Sequence, residues 1–243
     1  MKTITERLME LDPSLEIHDE GEWNNTKSRY MAFNSGGVEC EVGEFLYSLV
    51  RMIKPQRILE TGTHLGIGAF YMGLALKDNE EVTPEPQTIY GEPGHLDTVE
   101  FIEEIYAKAV HRIVTVGLES YVTCHLADAR QFLPEMGNRY NLILLDTEPQ
   151  TRFEEFIKFW DYLIEGGFVF IHDLNRHMHQ LPVEDHEWGW PFGKVPEFMT
   201  SLVRRREALP WHFPTPRGIT GFYKAAEVDF KWGIKGGGGK DAV

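Results

Sequence analysis

The stretch Glu60-Thr61-Gly62-Thr63-His64-Leu65-Gly66-Ile67-Gly68 follows directly on a short apolar run at 57–60. A glycine just past a strand end lets the chain turn tightly and lets a ligand approach the backbone. Three residues separate Gly62 from Gly66, which is not the Gly-x-Gly-x-x-Gly spacing of dinucleotide sites, and no Gly-Lys-Ser/Thr ending marks a P-loop. Single acids close three later apolar runs: Glu92, Asp128 and Asp146. Glu92 stands where an acid accepts hydrogen bonds from ribose hydroxyls. Asp128, followed by Ala129, stands where an adenine amino group would be met. Any one of these acids serves equally as a helix N-cap. With Glu60 at the head of the glycine loop they make four acids at successive strand ends, a set harder to explain by capping that points to a nucleoside-bearing ligand.

A second group of residues could move a proton. His172, His177, His179 and His186 crowd the segment after the fifth apolar run. An imidazole titrates close to neutral pH and can take the proton of a phenol or other hydroxyl. Taken singly, each is more simply a loop surface residue. His177-x-His179 also offers two nitrogens to a transition metal, without a third ligand pattern nearby. Trp188, Trp190, Phe192, Trp211 and Phe213 concentrate in the same half of the chain. Several of these are core residues by default, but Trp188 and Trp190 lie in a glycine- and proline-rich stretch and suit the wall of a pocket for a flat, apolar acceptor.

The elements that must hold these groups alternate. Strands are expected over 57–60, 88–90, 122–126, 141–145 and 168–171, and helices over 69–76, 97–110 and 153–164, with Gly166-Gly167 ending the last of these. Strand–helix alternation implies a doubly wound α/β domain, a mostly parallel sheet covered on both faces. A helix over 195–207, carrying Arg204-Arg205-Arg206, then leads to strand-like runs at 211–213 and 219–224. These read as an antiparallel pair at one sheet edge. The expected organisation is an N-terminal arm over 1–37, the main domain over 38–230 and a glycine-rich tail over 231–243. The arm holds a helix near 5–11, then Trp23 and Tyr30 ahead of a Gly36-Gly37 hinge. It reads as a cover whose deletion would impair turnover more than cofactor binding.

Composition narrows the partners. The 243 residues suffice for one sizeable core. Acids outnumber bases 38 to 24, a net charge of −14 that disfavours nucleic acid and leaves a small-molecule acceptor. No apolar run approaches a bilayer span or a secretory leader. With Cys40 and Cys124 the only thiols, the expectation is a cytoplasmic protein with no disulfide, forming a homodimer or higher homo-oligomer. Asn24-Asn25-Thr26 is read as a chance sequon.

Glu60-x-Gly62-x-x-x-Gly66, taken with Glu92, Asp128 and Asp146, resembles motif I and its successors in class I S-adenosylmethionine-dependent methyltransferases. The segment Glu41-Val42-Gly43-Glu44-Phe45-Leu46-Tyr47 resembles the catechol and caffeoyl-CoA O-methyltransferase branch. His172-Asp173 and the 218–224 ending are more similar to small-molecule methyltransferases of antibiotic pathways. The resemblance implies a seven-stranded sheet and binding of S-adenosylmethionine. Glu60, Gly62 and Thr63 would lie at its methionine moiety, Gly66 would allow close approach, Glu92 would take the ribose, and Asp128 and Ala129 the adenine, with Asp146 alongside. It implies O-methylation of a small hydroxylated metabolite, with N-methylation or a non-catalytic binding role as alternatives. In the catechol-type branch a divalent ion is held by two aspartates and an asparagine. Asp146 and Asp173 match the aspartates, but Leu174 intervenes before Asn175. Two routes to the acceptor proton therefore stay open: Mg2+ or another divalent ion on Asp146, Asp173 and Asn175, or a base at His172 or His177.

Overall fold

In the computed structural model residues 2–22, 29–33, 37–82, 93–135, 137, 139–173, 195–213 and 215–226 are described. Helix α1 (Ile4–Leu11) opens on a capping box in which Thr3 and Glu6 satisfy each other's backbone. The hairpin of β1 (His18–Glu22) and β2 (Arg29–Ala32) follows, then α2 (Cys40–Ile53). The main sheet is built from β3 (Arg57–Thr61), β4 (His95–Glu100), β5 (Val122–Leu126), β6 (Tyr140–Leu145), β7 (Leu163–His172), β8 (Ala208–Phe213) and β9 (Ile219–Lys224). Between them run α3 (Ile67–Val82), α4 (Glu103–Thr115), α5 (Pro149–Trp160) and α6 (Val195–Arg204).

The seven strands lie in the order β5-β4-β3-β6-β7-β9-β8, parallel from β5 to β7 and antiparallel at β9 and β8. This is the expected doubly wound sheet with its antiparallel closing pair. Alternation along each strand divides the core. Ile58, Leu142, Leu144 and Phe170 pack with Leu46, Phe70 and Met72 on one face. Leu59, Ile143, Leu145 and Ile171 pack with Phe156 and Phe159 on the other.

Four expectations are corrected. The second strand is β4, seven residues or more beyond the expected start; residues 88–92, Glu92 included, lie outside the described residues. Its buried polar side chains disguised it. Asp97 faces His125 at 2.9 Å and Thr98 bonds Glu60, so neither interrupts the strand as an unpaired polar group would. The helix expected from 97 therefore begins only at Glu103. Gly166-Gly167 does not end α5 but sits inside β7, where Gly166 has a positive φ and the pairing with β6 shifts register. Arg205 and Arg206 lie beyond the end of α6.

The start of the expected arm packs against the main domain. Leu8 is fully buried in the core, Arg7 pairs with Asp78 of α3, and Thr5 Oγ1 bonds Glu44 at 2.7 Å and Tyr71 at 2.8 Å. Helix α1 is thus a fixed part of the domain. Only the β1–β2 hairpin is left as a candidate cover.

Candidate active site

The chain adds strands outward from β3 to β5, then returns to place β6 on the other side of β3. That reversal opens a crevice at the carboxyl ends of β3 and β6, where ligands bind in doubly wound sheets. Gly62 turns the chain here with φ +82°, and its N–H donates to Val99 O at 2.9 Å. A side chain at this position would run into the Asp146 carbonyl, so glycine is required on both counts. Thr98 Oγ1 donates to Glu60 Oε2 at 2.6 Å and lies 2.6 Å from Thr63 Oγ1. The other Glu60 oxygen lies against Gly68, leaving no room for a larger residue in the first turn of α3. Burial, reinforced by Asp146 and Glu100, raises the Glu60 carboxyl to about 8 against the opposing Thr98 bond. A cation arriving beside it would restore the charge.

Glu100, at the end of β4, holds the strand-end position expected for Glu92. It accepts from the His64, Phe101 and Ile102 N–H groups, each at 2.9 Å, tying the glycine loop to the start of α4. Phe101, immediately after it, is 65% exposed beside the crevice. Past β5, Asp128 is engaged by the Arg130 N–H at 2.8 Å and its Nη2 at 2.7 Å, with Ala129 buried behind it. From α4, Arg112 donates to the Leu65 carbonyl and, at 2.9 Å, to Asp12 at the end of α1. The N-terminal helix therefore braces the glycine loop through one guanidinium.

Across the crevice, β6 and β7 deliver Asp146, His172 and Asp173. His172 is fully buried; Nδ1 lies 2.9 Å from Asp146 Oδ1 and Nε2 contacts Glu39 Oε2. Carboxylates accept and do not donate, so both ring nitrogens carry hydrogens. Burial opposes the positive ring, but Asp146, Asp173 and Glu39 together push it up to about 10. Burial likewise works against the charged forms of Asp173 and Glu39, yet His172, with Arg152 and Arg217 for Asp173 and Arg217 for Glu39, holds both below the usual carboxylate range. Arg152 Nη2 lies 2.9 Å from Asp173 Oδ2 and 3.3 Å from Asp146 Oδ1. Arg217 engages both Asp173 oxygens, Nη2 to Oδ2 at 2.6 Å and Nε to Oδ1 at 2.5 Å, while its Nη1 donates to Gly37 O.

Glu60, Gly62, Thr63, Gly66, Asp128, Ala129, Asp146, His172 and Asp173 thus meet along one edge of the sheet. Asn175, His177, His179, His186, Trp188, Trp190 and Phe192 lie outside the described residues. His172 has both ring nitrogens against carboxylates, so neither faces an acceptor in this arrangement. Glu39, Glu100, Arg152 and Arg217 went unread in the sequence, because no local motif marks a buried arginine. Asp146, His172 and Asp173 do offer ligand atoms within 4.8 Å of one another, the spacing a metal ion needs. Their chemistry fits an ion poorly, since the imidazole has no free lone pair and both Asp173 oxygens already face guanidinium.

Residues 59–174 match the family described as a methyltransferase domain. Solved structures share the fold over more of the chain. The S-adenosylhomocysteine-bound methyltransferase PaMTH1 of Podospora anserina is 14% identical, covering 93% of this chain and 89% of that one with a TM-score of 0.62. The O-methyltransferase TomG of Streptomyces achromogenes, involved in tomaymycin synthesis and solved with S-adenosylmethionine, is 19% identical over 78% and 82%, TM-score 0.59. An O-methyltransferase of Bacillus cereus with S-adenosylhomocysteine is 16% identical over 79% and 84%, TM-score 0.62. No curated protein sequence matches the chain.

Proposed function

We propose that this chain is a class I S-adenosylmethionine-dependent methyltransferase and that it methylates a hydroxyl oxygen of a small molecule. In this reading the cofactor's cationic methionine end lies at Glu60 and Gly62, its ribose at Glu100 and its adenine between Phe101 and Asp128–Ala129. Glu100→Gln should weaken S-adenosylhomocysteine binding by about 1–3 kcal/mol, the worth of a charge-assisted hydrogen bond. Glu92→Gln should leave it unchanged; calorimetry on both variants decides between the two acids.

The observation that carries O-methylation is Asp146. Its Oδ1 is held by His172 and Arg152, whereas Oδ2 has no partner among the described residues, and its side chain keeps 15% exposure at the crevice. Asp146 would accept the hydrogen bond of the acceptor hydroxyl and orient its lone pair. As the oxygen–methyl bond forms and the sulfur–methyl bond breaks, the hydroxyl proton passes to Oδ2, leaving S-adenosylhomocysteine and a methyl ether. The test is turnover against a panel of phenols, sugars and amines, with the methyl position read by NMR. Methylation confined to nitrogen would reject this reading in favour of the N-methyltransferase alternative, and tight cofactor binding without turnover would favour the non-catalytic one.

The acceptor side of this reading includes the β1–β2 hairpin. Tyr30 of β2 is buried with the Arg217 guanidinium 5.8 Å from its ring centroid, so the hairpin reaches the cluster. Because α1 also braces the glycine loop, deleting residues 1–35 should reduce cofactor affinity along with turnover. Asp12→Ala, which removes the brace together with two hydrogen bonds from Ser14, should weaken S-adenosylhomocysteine binding by on the order of 1 kcal/mol. Calorimetry on this variant, with an unchanged melting profile as the folding control, checks the assignment.

A further inference from the structure

Glu39, Asp146 and Asp173 supply three carboxylates; Arg152, His172 and Arg217 supply three cations. The six come from the segment before α2, the ends of β6 and β7, the first turn of α5 and the turn before β9. All but Asp146 are nearly or fully buried. Such a group is stable out of water only if its charges cancel and its hydrogen bonds are made. Here they do cancel, three against three.

The position between the two aspartates is already taken. Arg152 Nη2 spans them, 3.3 Å from Asp146 Oδ1 and 2.9 Å from Asp173 Oδ2. Arg217 closes on Asp173 from the other side through Nε and Nη2. A guanidinium stays charged at any working pH, so it cannot yield by losing a proton. A hard divalent ion wants six or more oxygen ligands. Of the carboxylate oxygens on the two aspartates, Asp146 Oδ2 alone faces no cation among the described residues; Asp173 Oδ1 makes no hydrogen bond but lies 2.5 Å from Arg217 Nε. Seating an ion would mean expelling a buried guanidinium.

We propose that Arg152 and Arg217 occupy the place of a divalent cation between the two strand-end aspartates, so that the centre needs no metal. Its acceptor-facing group is Asp146 Oδ2, whose orientation is set by His172 and Arg152. The role given to Oδ2 rests on the O-methyltransferase reading; the exclusion of the ion does not.

The test therefore reads metal binding directly. Mn2+ is titrated into the full-length protein and into Asp146→Asn, and the free ion is followed by electron paramagnetic resonance. The readout is the difference between the two. No difference is expected, together with a wild-type melting temperature indifferent to Mg2+ and to EDTA. About one equivalent of Mn2+ bound by the wild type and lost in Asp146→Asn would overturn the proposal. A second measurement probes the occupant. Arg217→Gln, if it folds, should acquire Mn2+ affinity that the wild type lacks, because Asp173 then keeps an uncompensated charge. If Arg217→Gln folds and gains none, guanidinium is not what keeps the ion out and the proposal fails. Absence of methyl transfer to any acceptor would count against the O-methyltransferase reading alone, since the Mn2+ titration needs no substrate.

Discussion

Asparagine in place of Asp146 should lower kcat by about two to four orders of magnitude, the range of a positioned proton acceptor. Binding of S-adenosylhomocysteine should stay within about threefold, because the cofactor side of this residue is its backbone. The carbonyl of Asp146 packs against Gly62, and its N–H donates to Thr61 O at 2.9 Å; neither changes in the variant. The asparagine oxygen can still accept from His172, which forces the amide nitrogen to the position of Oδ2. That nitrogen donates and cannot take a proton. The variant also leaves the cluster with one surplus positive charge, so some loss of stability accompanies the loss of turnover. A thermal melt taken beside the kinetics separates the two. Single-turnover rates with preformed cofactor complex are the decisive measurement, and a rate within tenfold of wild type would remove Asp146 from the chemistry.

The parts of this site that the sequence announced share one property: they sit where chain direction changes. Gly62 and the acids Glu60, Asp128 and Asp146 follow apolar runs whose lengths mark strand ends, so type and position together are informative. β4 shows the limit of that logic. Asp97, Thr98 and Glu100 are polar, yet all three are buried and bonded within the fold, to His125, to Glu60 and to the loop backbone. A run that satisfies its polar groups by tertiary partners looks amphipathic, and the spacing alone places the strand seven residues too early. Arg152 and Arg217 were illegible for a different reason. They lie 65 residues apart in sequence and far from Glu39, and only the sheet order brings them to one aspartate. Charge cancellation in a buried cluster is a property of the assembled fold. Local spacing shows two aspartates that must repel, but not which cation stands between them.

Folding stability should decline steadily as pH rises from about 6.5 towards 10, and His172→Gln should flatten that decline. The ring's ordinary value is near 6.5, and in the fold Asp146, Asp173 and Glu39 raise it to about 10 against the effect of burial. A group raised on folding binds its proton more tightly in the native state. Its contribution is therefore complete below the unfolded value and is lost as pH climbs through the folded one. Across that window the slope approaches about 1.4 kcal/mol per pH unit, for a total on the order of a few kcal/mol. Glu60, raised to about 8, acts in the same direction but from a lower starting point, and its share ends near pH 8. Between pH 8 and 9.5 the decline then comes from His172 together with the Cys40 and Cys124 thiols, which burial raises to about 11 and about 12. Urea denaturation in that interval should give a falling midpoint for the wild type and for Glu60→Gln, and a clearly shallower fall for His172→Gln. The glutamine variant starts lower, because Glu39 and Asp146 then face an amide in place of a cation and only one of them can accept from it. A decline as steep in His172→Gln as in the wild type would mean that the ring is neutral in the fold, and that the cluster carries two cations against three carboxylates.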